Sequence, residues 1–259
     1  SALLIDRVTP DDVKRIWYRV PSRGPALHDA DLAANAVSLS ADGTLVTLEP
    51  SALADALGGS LRTRMIGEVF AENALAAAAG AIAAGVDAAV VARGIASCPV
   101  VPGRFEVVTR EPALVAVDYA HTPDALARTC DAARALAGQK RVIVVFGAGG
   151  GADPEKREPM GRAVGQRADV AIVTNDNPRR EDPRFIAKAV ARGAERGGRA
   201  YVLTELDRRA AIRQALERSK PGDVVVVAGK GHERGQTVGD ETLPFSDVDE
   251  VAMLLGGST

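Results

Sequence analysis

Four short polar segments carry the residue types that bind or move charge: DYAHTPD (118–124), GAGGGADPEKR (147–157), NDNPRR (175–180) and GKGHE (229–233). In the third, Asp176 and Asn177 can accept and donate hydrogen bonds, Pro178 stiffens the turn, and Arg179 offers a planar fork suited to a carboxylate. An anion fork beside an acidic group is what a zwitterion requires, because an amino acid presents a carboxylate and an ammonium a few ångströms apart. An Asn-Pro turn with a solvated arginine is the competing reading, and it stays open. In GKGHE, Lys230 and His232 are candidate phosphate contacts or acid–base groups, and Glu233 is a candidate receiver for an ammonium. Gly-Lys-Gly is equally a plain turn.

DYAHTPD reads first as a helix start, with Thr122 as cap, Pro123 in the first turn and Asp124 at the positive end of the helix dipole. Asp118 and His121 precede that cap, where a nucleotide or substrate would lie. FGAGGG (146–151) lacks GxGxxG spacing, and no GxxxxGK[ST] loop occurs in the chain, so the glycines read as a tight turn that lets a helix pack closely. Asn73 opens an Ala-rich helix, where a local cap is its plain role. Arg104, in PGR, reads equally as a linker charge. His28 is expected to do nothing chemical, and REDPR (180–184) is a solvated helix start.

Apolar runs at 113–119, 141–147, 169–175, 199–205 and 223–229 recur every 24 to 30 residues or about that, the pace of βαβ units. Amphipathic stretches at 122–137, 157–168, 183–196 and 207–218 lie between them. Strands apolar on both faces belong in a parallel sheet covered by helices, so the fold class is α/β with a Rossmann-like C-terminal domain. Ligands then bind beyond the carboxyl ends of the strands, where each of the four polar segments falls. The rest of the chain is less regular: a strand at 2–5, a helix at 11–18, a hairpin at 35–49 turning at Asp42-Gly43, a β-like piece at 61–66, and helices at 72–85 and 87–97. A hairpin at 237–243 and a helix at 247–255 complete it. Pro99, Pro102 and Gly103 break the pattern, and the domain boundary is expected at 107/108.

The 259 residues hold 32 Lys+Arg against 34 Asp+Glu, which excludes nucleic-acid binding by bulk electrostatics. With only 5 Phe, 3 Tyr and 1 Trp, the core must be built from Ala, Val, Leu and Ile. Cys98 and Cys130 have neither CxxC nor His spacing and are expected to be buried thiols in a reducing compartment. No apolar run approaches 18 residues and no basic leader opens the chain; a cytoplasmic protein without membrane partners is expected.

In this order, PGR (102–104), VDYAHTPDAL (117–126), the FGAGG turn followed by Lys156, Arg157, Met160 and Gly161, TNDNPR (174–179) and AGKGHE (228–233) resemble the Mur ligases. Within them they are most similar to the branch that adds the third residue of the peptidoglycan stem peptide. The resemblance implies that ATP phosphorylates the carboxylate of UDP-MurNAc-L-Ala-D-Glu and that the amino group of the incoming amino acid attacks the acyl phosphate, with Mg2+ and basic residues neutralising charge. It implies that Asn73 contacts adenine, Arg104 the phosphates, and Asp118 and His121 the ribose and base side of ATP. It implies that Asp176, Asn177, Arg179, Gly229 and Glu233 hold meso-diaminopimelate, whose second carboxylate lysine lacks.

Two positions depart from the family pattern. Gly151 and Ala152 replace an Asp-Arg pair, and Phe70 stands where an Asn is usual. The family's phosphate loop, magnesium ligands, carbamylated lysine and UDP-binding domain have no counterpart in the sequence. The expectation is therefore the C-terminal part of such a ligase: 1–107 a partial central ATP-binding domain, and 108–259 the amino-acid-binding domain. Such a chain is expected to be inactive alone, with a missing N-terminal half as its partner. A non-catalytic relative, a lysine-adding ligase, and a folylpolyglutamate or cyanophycin-type synthetase are the alternatives.

Overall fold

The computed structural model describes residues 15–20 and 29–256, so the strand expected at 2–5, the first half of the helix at 11–18, and His28 lie outside the described residues. The chain divides into two compact units, 1–99 and 100–259. The first contains β1 (Tyr18–Arg19), β2 (Leu32–Ser40), β3 (Gly43–Leu48), α1 (Ala52–Ala56), β4 (Ser60–Thr63), α2 (Glu68–Ala83) and α3 (Ala88–Ser97). Tyr18 thus ends in a strand and not in the expected helix. The sheet order is β1-β2-β3-β4, parallel for the first pair and antiparallel for the others. The expected hairpin forms at Asp42-Gly43. Gly43 has φ 140°, and a Cβ there would meet the Thr63 carbonyl oxygen at 2.1 Å, so only glycine lets β3 begin against the end of β4. Helix α2 buries Ala71, Ala74, Leu75, Ala78 and Ala79, at the spacing of one helical face, against Leu32, Val46 and Leu61.

The second unit contains β5 (Glu106–Thr109), β6 (Leu114–Asp118), α4 (Pro123–Ala137), β7 (Val142–Phe146), α5 (Arg157–Gly165), β8 (Val170–Val173), α6 (Pro183–Gly197), β9 (Tyr201–Thr204), α7 (Arg208–Arg218), β10 (Val224–Ala228), β11 (Gly235–Val238), β12 (Glu241–Pro244) and α8 (Asp247–Leu254). Its six-stranded sheet runs β5-β6-β10-β7-β8-β9, all parallel except the antiparallel edge strand β5. The expected boundary at 107/108 would cut β5, which pairs with β6; the division between the units falls earlier, after Pro99.

Strands β7, β8 and β10 are buried along their whole length, which explains their unbroken apolar sequences. Ala211, Ile212 and Ala215 of α7 and Val251 of α8 pack on Val115, Val117, Ile143, Val145, Val225 and Val227. Helices α4, α5 and α6 form the other layer over the alternate residues Ala116, Val144, Ala171 and Val226, all at 0% exposure. No helix of the described residues is long and apolar enough to cross a membrane. Cys130 is buried as expected, but Cys98 is exposed, because the residues around it at the end of α3 turn outward.

Candidate functional site

Register brings the four polar segments to one edge. Ala228 pairs with Asp118, Val227 with Val145, and Phe146 with Val173, so the chain leaves β6, β10, β7 and β8 at the same height. Two surface hollows of about 480 and 430 Å3 lie along α5 and beside β9, and neither takes in a sequence-predicted site residue.

On one side of the edge, Asp118 is buried and accepts three hydrogen bonds. Its Oδ2 accepts the Phe105 backbone N–H at 2.7 Å, and its Oδ1 accepts the Ala120 N–H and the Thr129 hydroxyl, each at 2.9 Å. Phe105 has φ 43°, a left-handed conformation costly for a bulky residue, and the Asp118 carboxylate holds it there. Glycines close the contact between PGR and GKGHE: a Cβ on Gly103 would lie 2.2 Å from the His232 nitrogen, and one on Gly231 2.7 Å from Tyr119 Cβ.

The exposed Arg104 guanidinium is consequently 4.9 Å from the centre of the Tyr119 ring. The His121 and His232 rings flank the same tyrosine at 4.6 and 5.3 Å. His121 Nδ1 lies 2.8 Å from the Tyr119 carbonyl oxygen, which can only accept, so Nδ1 carries the hydrogen of that bond. Asn73 lies in the first unit, exposed in the second turn of α2; the helix begins at Glu68, so Asn73 neither opens nor caps it.

Across the edge, Asn177 donates from Nδ2 to Glu233 Oε2 at 3.0 Å. Its Oδ1 accepts from Lys230 Nζ at 2.7 Å and from the Thr237 N–H at 3.0 Å. Lys230 Nζ also donates to the Gly235 carbonyl at 2.8 Å and lies 3.5 Å from Asp176 Oδ1 and 3.6 Å from Glu233 Oε2. Burial pushes the ammonium of Lys230 below its usual range, while the Asp176 charge opposes that shift. Asp176 Oδ1 is buried without a hydrogen-bond partner. Gly229, with φ 119°, leaves room beside Asp176: a Cβ there would stand 3.8 Å from Oδ1.

Arg179 is the second non-glycine residue with left-handed backbone, at φ 52°. The β11–β12 hairpin clamps it: its N–H donates to the Thr237 carbonyl at 3.1 Å, and its own carbonyl accepts the Gly239 N–H at 2.7 Å. Its exposed guanidinium donates to the Gly150 carbonyl. The glycine loop has a different role from the one its sequence suggests. A Cβ on Gly150 would lie 2.0 Å from the Pro178 carbonyl oxygen, and one on Gly147 2.1 Å from that of Thr174. These glycines press the loop against NDNPR, not against a helix. Glu181 pins the same loop, its Oε1 accepting the Gly151 N–H at 2.6 Å while Oε2 pairs with the buried Arg157 at 2.8 Å. The Gly151 N–H, and after it Arg157, hold the Glu181 carboxyl below the usual range.

Three features escaped the sequence reading. Tyr119 stands among Arg104 and the two histidines, Lys230 is wholly buried beside Asn177 and Glu233, and Arg208 forms a fully buried pair with Asp247, two contacts of 2.7 Å. Arg208 also donates to the Asn175 and Ala228 carbonyls at 3.2 and 3.0 Å, tying the ends of β8 and β10 together. The sequence reading placed only an amphipathic stretch at 207–218 there; Asp207 caps α7, its side chain accepting the Ala210 N–H at 2.9 Å. Two buried cations, Lys230 and Arg208, thus face three carboxylates, those of Asp176, Glu233 and Asp247.

A parallel sheet with its polar loops gathered at the carboxyl edge defines a doubly wound α/β ligand-binding domain. Residues 103–231 match the Mur ligase, glutamate ligase domain, and the chain belongs to the Mur ligase family. It is 46% identical over 189 residues to the UDP-N-acetylmuramoyl-L-alanyl-D-glutamate--2,6-diaminopimelate ligase of Solibacter usitatus, covering 73% of this chain and 38% of that protein. The enzyme of the same name from Bradyrhizobium diazoefficiens is 47% identical over 195 residues, 74% of this chain and 38% of the relative. A solved structure of a ligase with that name superposes with a TM-score of 0.62 at 33% identity, over 88% of this chain and 45% of the other. The chain spans about two fifths of the length of the curated relatives it matches.

Proposed function

We propose that this chain serves an ATP-dependent, ADP-forming ligase that joins meso-diaminopimelate to UDP-MurNAc-L-Ala-D-Glu in peptidoglycan biosynthesis. The observation that carries the reading is the arrangement of Arg179, Asn177, Glu233 and Asp176, which offers donors for a carboxylate beside acceptors for an ammonium. Relatives named as diaminopimelate ligases support it. Three carboxylates against two buried cations leave one negative charge for a ligand ammonium to neutralise, and Arg179 adds the positive charge that a ligand carboxylate needs. The assignment of residues 100–259 as the amino-acid-binding domain and of 1–99 as part of an ATP-binding domain belongs to the same proposal.

ATP, when bound, supplies the phosphoryl group that makes the D-Glu carboxylate an electrophile. Arg104 neutralises phosphate charge, and the Tyr119 ring and His121 beside it serve the nucleoside. Asp118 acts indirectly, holding Phe105 so that Arg104 is presented. The amino group of diaminopimelate, held through its far end, then attacks the acyl carbon: a C–N bond forms, the C–O bond to phosphate breaks, and the nitrogen loses a proton. Mg2+ belongs to the same reading, with its ligands expected outside this chain. With ATP and a UDP-linked peptide as substrates, the reaction belongs in the cytoplasm.

Calorimetry of this chain with meso-diaminopimelate and with L-lysine tests the reading. The expected result is binding of diaminopimelate at least about tenfold tighter than lysine, since a pocket built for a second carboxylate leaves Arg179 unmet by lysine. Equal affinities would overturn the assignment of the substrate, and no heat from either would overturn the pocket.

A further inference from the structure

Lys230 has no exposed surface, so it cannot grip a ligand itself. It can, however, decide what its neighbours present. The ammonium of Lys230 and the backbone N–H of Thr237 both point at one end of the Asn177 amide, at 2.7 and 3.0 Å. Neither can accept a hydrogen bond. The amide oxygen must therefore face them, and the amide nitrogen must face the pocket, where it meets Glu233 Oε2 at 3.0 Å. Turning the amide over would set its NH2 against two donors and strand a buried ammonium. One amide hydrogen is spent on Glu233 and the other is left for a ligand. Lys230, 3.6 Å from Glu233 Oε2, also draws that oxygen inward, while Oε1 has no hydrogen-bond partner among the described residues and is left as an acceptor.

We propose that Lys230 is the specificity-setting positioning residue of this pocket: it orients the Asn177 amide so that an N–H meets a ligand carboxylate, and holds Glu233 so that an oxygen meets a ligand ammonium. The inference rests on the amino-acid reading given above. It goes further in assigning the pocket's polarity to a residue that no ligand touches, and in making the preference for a second carboxylate depend on it.

Two variants of this chain separate the possibilities, with meso-diaminopimelate and L-lysine as calorimetric probes and the melting midpoint as a check on folding. Lys230→Met frees the amide to turn and should weaken diaminopimelate binding about tenfold or more while changing lysine binding little, so that the ratio between them collapses. Asn177→Asp keeps an acceptor facing Lys230 and Thr237 but replaces the donor that serves both Glu233 and the ligand by an acceptor; the same ratio should collapse, with the melting midpoint reporting whether the fold is kept. In the double variant the ratio should fall no further than in the worse single one, because Lys230 acts through Asn177. A purely structural role would weaken both ligands alike and leave the ratio intact, which would overturn the inference. If Lys230→Met does not fold, Lys230→Gln takes its place, because an amide can present either an oxygen or an NH2 to Asn177 and no longer fixes its orientation; an unchanged ratio there would overturn the inference. Failure of the unaltered chain to bind diaminopimelate would remove the substrate reading and this inference together, whereas unaltered ratios in variants of a chain that binds would remove this inference only.

Discussion

The two exposed guanidiniums at the site share a device. Arg179 itself, and Phe105 beside Arg104, hold left-handed backbone without being glycine, a state that costs about 1–3 kcal/mol each. Each is offset by dedicated hydrogen bonds, from the β11–β12 hairpin in one case and from Asp118 in the other. Such clamps aim a side chain that would otherwise sweep through solvent. On the proposed reading Arg179 carries an added share of the work, because Ala152 stands where the resemblance to the Mur ligases leads one to expect an arginine. Arg179→Ala should therefore weaken diaminopimelate binding by about 10- to 100-fold, the worth of about 1.5–3 kcal/mol for hydrogen bonds from a charged group. Binding of ATP to the enzyme should change little. Substrate-by-substrate KM measurements decide: equal losses for both substrates, or none, would take Arg179 out of the amino-acid pocket.

Helices α5 and α6 approach backbone to backbone, and this fixes the loops that precede them. A Cβ on Gly161 would lie 1.9 Å from the Val190 carbonyl oxygen, one on Gly165 2.0 Å from that of Ala194, and one on Gly193 2.1 Å from that of Glu158. With Gly197, where a Cβ would lie 2.4 Å from the Gly165 carbonyl carbon, they form two pairs, 161/165 and 193/197, each spaced by one helical turn, that leave each helix a groove for the other. Gly161→Ala should cost about 1–3 kcal/mol or more by overpacking, and lower the melting midpoint by several degrees; an unchanged midpoint would mean that the helices can separate freely.

These glycines were plain in the sequence, but their purpose was not, since it depends on which helix faces which. The strands were legible because β7, β8 and β10 are apolar on both faces and return at the βαβ pace. The cap at Thr122 was legible because it is local, its hydroxyl accepting the Ala125 N–H at 3.3 Å. Strand β5 was hidden behind the Pro-Gly breaks that precede it. Asp118 was assigned to the nucleotide; that its carboxylate also accepts from Phe105, Ala120 and Thr129 was not legible, because those partners are set by the fold. Lys230 was offered to phosphate, yet its partner Asn177 lies 53 positions earlier in the chain, a pairing that no local pattern encodes.

At the scale of the molecule, the polarity of the parallel sheet separates recognition from stability. The charges assigned to ligands stand at the carboxyl ends of the strands. The amino ends are stapled by two other carboxylates. Asp169 accepts from the Val142 N–H at 2.8 Å, from Arg199 at 2.7 Å and from Arg134, joining the starts of β7 and β8 to α4. Asp223 accepts from Arg141 and from the Lys220 N–H at 2.9 Å, at the start of β10. Burial pushes both carboxyls up, but these hydrogen bonds outweigh it and hold both below the usual range. Because the folded values lie below the unfolded value of about 3.9, the unfolded chain binds more protons in the interval between them. The stabilisation is complete above that unfolded value and is lost as pH falls through the folded values. With a net charge of only −2, general repulsion adds little to this dependence at neutral pH. Urea unfolding should therefore give similar stabilities at pH 7 and 6 and a steep fall below about pH 4. Asp169→Asn should be less stable at pH 7 yet lose less on acidification, with diaminopimelate binding unchanged, since the substitution lies at the opposite end of the strands from the pocket. If the variant's stability falls with acid in parallel with that of the unaltered chain, the acid sensitivity belongs to other carboxylates.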